Sequence, residues 1–222
     1  MKTFVIALGL LLGVLDCARI YRPVTLVSPP PAATRSADLS GWTTPQPWGD
    51  NSRYEERAQK AGLRVVALSL ENRSGAEVEV VGLQLPEGVE ALSPEAAMKL
   101  VQQHSLAYLL YPGIPALLSL GASSSTAGLY LSERMIYGAF AVAGFLVGLP
   151  NALVAANSNL KLGTFFREQA WSPGRLAPGQ SCRGLVFLRG REAGLDLPLR
   201  VIYRQDGAEQ GLDLTRPAAL PL

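Results

Sequence analysis

The sequence predicts a mainly β chain: a β-sandwich interrupted by an inserted apolar α-helical hairpin and preceded by an N-terminal signal segment. Three observations carry that expectation. Short runs with two-residue alternation lie on both sides of the middle of the chain, with turn residues about every ten positions. Between them, residues 135–157 (MIYGAFAVAGFLVGLPNALVAAN) hold no charged side chain. At the start, Lys2 precedes an uncharged apolar run from Phe4 to Leu15. Only 17% of the chain is charged, against 48% hydrophobic, whereas soluble domains carry about 25% charged residues. The deficit is concentrated in the N-terminus and in residues 105–160.

About a dozen apolar residues suit the central region of a secretory signal and fall short of the roughly 20 that a spanning helix needs. The run ends in Val14-Leu15-Asp16-Cys17. This resembles the lipidation box of bacterial lipoproteins, in which small residues precede a cysteine that becomes the lipid-bearing N-terminus. Asp16 departs from that pattern. The resemblance covers residues 1–17 and implies lipidation at Cys17. An uncleaved signal anchor and a signal cut elsewhere are the other readings, and all three export the bulk of the chain. Ala18 stands where such lipoproteins carry an aspartate for inner-membrane retention, which implies the outer membrane. The inner membrane, with a domain in the periplasm, stays open.

Residues 18–53 are rich in Pro, Ser and Thr, with Pro29 to Pro31 consecutive, and read as an extended tether. Trp42 and Trp48 within it are expected to dock on the domain. Glu55, Glu56, Arg57 and Lys60 suggest a short charged helix. In the run from Leu63 to Asn72, Val66, Leu68 and Leu70 share one phase, while Val65, Ala67 and Ser69 share the other. The next run slips phase between Val80 and Val81, and Gly82 beside the slip predicts a β-bulge. The turn chemistry of Asn72 to Gly75 predicts a hairpin between the two runs. Ser93, Pro94 and Glu95 then make a helix start, with Ala97, Leu100, Val101 and His104 on one face.

After the apolar region, residues 160–171 (LKLGTFFREQAW) read as a strand. Pro178-Gly179 reads as a turn into a buried strand from Gly184 to Leu188. Gly190 to Gly194 reads as a tight connection into a further strand, and Asp206-Gly207 marks a hairpin. Both flanks share this short-strand character, so residues 54–92 and 160–216 are read as one discontinuous immunoglobulin-like sandwich. Residues 93–159 are the helix and the insertion.

The insertion has two arms. The first carries Leu106, Leu109, Leu110 and Tyr111, then Ile114, Leu117 and Leu118, and is broken by Pro112 and Pro115. The second carries Ile136, Tyr137, Phe140, Gly144, Phe145, Leu146 and Gly148. It is long enough to cross about 30 Å of hydrocarbon. Gly144 with Gly148, and Ala139 with Ala143, have the spacing that lets helices approach closely in lipid. These residues are expected to face membrane lipid or a protein partner, and two arms return the chain to the side it left.

Catalytic chemistry lacks its parts. His104 is the one histidine. Ser181, in GQSCRG, misses the G-x-S-x-G elbow. The sequence has no Cys-x-x-Cys, no histidine pair and no phosphate-binding loop, so no metal or cofactor is expected. Cys182 reads as a buried small residue. A net charge of +2 without a basic stripe interleaved with aromatics gives no basis for a nucleic-acid partner, and none is expected. The expectation is a non-enzymatic, membrane-anchored envelope protein with a structural or adaptor role. Its expected partners are membrane lipid and either another envelope protein or a second copy. The alternatives are a protein that binds lipid or another hydrophobic ligand through the insertion, and an unrecognised hydrolase.

Overall fold

The computed structural model describes residues 18–28, 34–36, 38–108, 131–190 and 198–214. Nine strands and three helices fall within them: β1 (Thr34–Arg35), β2 (Leu39–Pro45), α1 (Ser52–Lys60), β3 (Leu63–Asn72), β4 (Val78–Gln84), β5 (Glu90–Leu92), α2 (Pro94–Val101), α3 (Leu131–Gln169), β6 (Gly174–Leu176), β7 (Ser181–Arg189), β8 (Leu199–Gln205) and β9 (Ala208–Leu214). The chain divides into two units. One is built from Arg22–Val101 and Leu162–Leu222, the other from Met1–Tyr21 and Gln102–Lys161.

The first unit is mainly β. One antiparallel sheet has the order β1-β2-β3-β7-β5, the other β6-β4-β8-β9. One phase of each sheet supplies a common core. Leu68 and Leu70 of β3 pack with Val78 and Val80 of β4, Leu199, Val201 and Tyr203 of β8, and Leu212 and Leu214 of β9. Val66, Leu68 and Leu70 therefore face the other sheet, as their shared phase predicts. On the opposite face of the larger sheet, Val65 stands beside Phe187 in the ladder. The Phe187 ring meets that of Phe166 in α3 at 4.6 Å, and Phe166 also meets Trp48 at 6.1 Å. β7 is thus covered on both faces, so Gly184 to Leu188 are buried without alternation. The outer face of the smaller sheet is lined by cross-strand ion pairs such as Arg204–Glu79 and Arg200–Asp213. These solvated pairs add little stability.

Local signals hold at several points. The β4–β8 ladder shifts register between Val80 and Gly82. Asp206 and Gly207 both take positive φ, 50° and 79°, and turn β8 into β9. Ser93 caps α2, its Oγ accepting from Ala96 N–H at 3.2 Å. Trp42 is buried in β2, with the Arg183 guanidinium 5.8 Å above its ring.

Three expectations change. Residues 63–84 form no hairpin, because β3 and β4 belong to different sheets. Alternation records that one face is buried, and it does not distinguish a neighbour in the ladder from a partner across the core. Asn72, fully buried, makes the corner. Its Nδ2 donates to the Ala76 and Leu176 carbonyls, both at 2.8 Å, while its Oδ1 accepts from Ser74 N–H at 2.9 Å. Residues 160–169 are the end of α3 and not a strand. Buried Leu162 and Phe166 lie four apart, while Lys161, Arg167 and Glu168 are exposed, which is a helical period. Finally, residues 39–45, within the stretch read as a tether, form β2 and pair along β3 from Leu39↔Asn72 to Pro45↔Val66.

The second unit is organised on the N-terminal part of α3, which holds Pro150 within its length. Ala152 and Ala155 pack there with Tyr108 and Ala18. Among the described residues, no helix is long and apolar enough to cross a membrane.

Candidate functional site

The residues immediately after Cys17 are held by side chains, not by a strand ladder. In the helical unit, Ala18 N–H donates to Asn151 Oδ1 at 2.9 Å, and Tyr21 N–H donates to Ser158 Oγ at 3.1 Å. Between them the Gln103 amide grips Arg19 at both backbone groups. Its Oε1 accepts from Arg19 N–H at 3.2 Å, and its Nε2 donates to the Arg19 carbonyl at 2.8 Å. Tyr108 Oη donates to the same Oε1 at 3.3 Å. Gln103 is itself held in the same manner. Asn159 accepts from its N–H at 2.8 Å and donates to its carbonyl at 2.7 Å. Gln103 and Ser158 are almost wholly buried. Such groups stay buried only when their bonds are made.

The sandwich unit treats the following residues alike. Asn51 accepts from Arg22 N–H and donates to its carbonyl, both at 2.8 Å. Gln46 accepts from Val27 N–H at 3.3 Å and donates to the Thr25 carbonyl at 2.9 Å. An extended segment without a strand partner must find backbone partners elsewhere, and here they are amide side chains.

Helix α3 has two faces in this region. Gly148, Ala152, Ala155 and Ser158 are buried. Val142, Leu146, Leu149, Leu153 and Leu160 are 61, 68, 38, 62 and 64% exposed. At 100° per residue these five fall within an arc of about 60°, opposite the buried set. A single exposed leucine is ordinary, but a continuous row of them marks a surface for something apolar.

The sequence-predicted residues fall as follows. Leu106 and Leu146 are exposed, and Gly148 is buried. α3 contains Ile136, Tyr137, Phe140, Gly144 and Phe145, whose side chains lie outside the described set. Cys17, Leu109, Leu110, Tyr111, Ile114, Leu117 and Leu118 lie outside the described residues, as does most of the connection at 190–194. His104 and Ser181 are both exposed. Cys182 is a half-buried free thiol, and burial pushes its pKa up, the opposite of what a reactive thiolate needs. Among the described residues, no cluster of His, Cys, Asp or Glu has the makings of a metal site. An open groove of about 780 Å³ in the sandwich unit is lined by Lys60, Gly62, Gly88, Glu90 and Arg189. Its charged groups include the Arg189–Glu90 pair at 3.8 Å.

Sequence reasoning missed Gln103, Asn151, Ser158 and Asn159. Buried and half-buried polar side chains carry no periodic signal, and only the position of residues 18–21 reveals their use.

No protein-family model matches the sequence, and no curated protein does. Among solved structures, the apo PCuAC domain from PmoF1 aligns over 85% of this chain and 100% of its own, at 9% identity and a TM-score of 0.31. A likeness of that size carries no argument about fold or function.

Proposed function

We propose that the chain is a non-enzymatic, membrane-anchored protein of the bacterial cell envelope. Its immunoglobulin-like sandwich is displayed outside the cytoplasm in a structural or adaptor role. Cys17 is the lipidation site, or else residues 1–17 remain as an apolar anchor. One observation supports this reading above others: the chain emerging from Cys17 is fixed to the apolar helical insertion from its first residue, Ala18, by the Asn151 bond. An anchor attached there has no slack between the lipid and the folded body. The partner recognised by the sandwich is another envelope protein or a second copy of the chain.

Fractionation of cells expressing the full chain, with mass measurement of the N-terminus, tests the proposal. The expected result is a membrane-bound protein carrying either a lipid on Cys17 or the intact leader. A soluble protein with an unmodified N-terminus cut elsewhere overturns it.

A further inference from the structure

We infer that the exposed row Val142, Leu146, Leu149 and Leu153 is set among the acyl chains of the leaflet that holds the N-terminal anchor, with the helix lying along that leaflet. The inference rests on the anchored reading above and adds the surface that meets the lipid.

Two features of the chain select lipid over a protein helix as the occupant. The first is where the undescribed N-terminus ends. Seventeen residues, apolar from Phe4 to Leu15, precede Ala18, and Ala18 is fixed at 2.9 Å to Asn151. Asn151 lies between Leu149 and Leu153 along the helix. Membrane-embedded chain or lipid at residue 17 therefore brings hydrocarbon to the level of these leucines. Arg19, the next residue but one, is exposed and suits a phosphate headgroup at that level. The second feature is charge. A helix seam that pairs in water is flanked by charged residues that set partner and register. Here no charged residue occurs between Arg134 and Lys161, so the flanks offer a partner helix nothing to read.

The course of α3 sets its orientation. Beyond Val142 the helix runs on to Leu131, and Glu133 and Arg134 lie about 12 to 14 Å further along it at 1.5 Å per residue, so the row meets the leaflet side-on. The row ends at Leu153. Asn157 follows about one turn later and Lys161 about two turns later. Both are exposed, and the lysine stem can reach back toward the headgroups. Gly148, Ala152 and Ala155 on the other face remain against protein.

The test uses the full chain expressed in cells, with a photoreactive residue at Leu146, at Leu153 or, as control, at Ala208, exposed at the start of β9. The inference expects phospholipid adducts from Leu146 and Leu153 and none from Ala208. A cross-linked dimer, an adduct to another protein, or no adduct from a membrane-bound chain overturns it and leaves the anchored reading standing. A chain that fractionates as soluble overturns both.

Discussion

The side-chain amide of Gln103 closes on the backbone of Arg19 from both sides, accepting from its N–H at 3.2 Å and donating to its carbonyl at 2.8 Å. It does for one residue what a neighbouring strand does for many. Gln103→Ala leaves these groups and the Tyr108 hydroxyl without this partner. The expected cost is about 1–3 kcal/mol, confined to the helical unit. Amide exchange at Arg19 and Tyr21 is expected to quicken, as is tryptic cleavage after Arg19. Unchanged exchange at both positions contradicts the strap.

Asn72 supports the corner between the two sheets in the same way. Asn72→Asp keeps the acceptor for Ser74 but loses the donor to Ala76 and Leu176, and it buries a charge. A loss of about 2–4 kcal/mol is expected in denaturant unfolding. A fully buried asparagine that tolerates this change would show that the corner is held by the backbone alone.

Gly184 is fixed by proximity, not by backbone angle. A Cβ there would meet Trp171 Cα at 2.6 Å and its N at 2.7 Å, and Trp171 N–H donates to the Leu185 carbonyl at 2.9 Å. Backbone gives way less readily than a side-chain tip. Gly184→Ala is expected to cost about 1–3 kcal/mol. A thermal midpoint equal to that of the parent would mean that residues 170–171 move aside freely.

Burial raises the Cys182 pKa, so its alkylation at neutral pH is expected to be slower than that of a small-molecule thiol. The sign for stability follows from linkage. A raised pKa in the folded state contributes stability that is present below the unfolded value of about 8.5 and lost as pH rises through the folded value. Cys182→Ser is expected to lessen the alkaline decline in stability between those limits. A decline of the same size in both proteins would assign it to other groups.

Much of the sandwich was legible because its signals are local. The slip at Val80, the turn at Asp206-Gly207 and the cap at Ser93 each depend on a few adjacent residues. What was not legible depends on distant partners. Strand β2 looked like tether because Thr and Pro dominate residues 43–47, yet Leu39 and Trp42 find burial against residues roughly 30 positions away. The end of α3 looked like a strand because Phe165-Phe166 is aromatic; its helical period shows once Leu162 and Phe166 are known to be buried together. The apolar character of residues 135–157 was evident, but its division into a covered face and an open face was not. Alanine occurs on both, buried at Ala152 and Ala155 and exposed at Ala156.

The strap has a consequence for timing. The N–H groups of Ala18, Arg19 and Tyr21 are committed to Asn151, Gln103 and Ser158, and on the proposed reading an enzyme that modifies or cuts the chain at Cys17 meets those neighbours already held. The finished fold withdraws that substrate. Any maturation at Cys17 is therefore a race against the docking of residues 18–21, and a weakened Gln103 grip lengthens the window in which the enzyme can win.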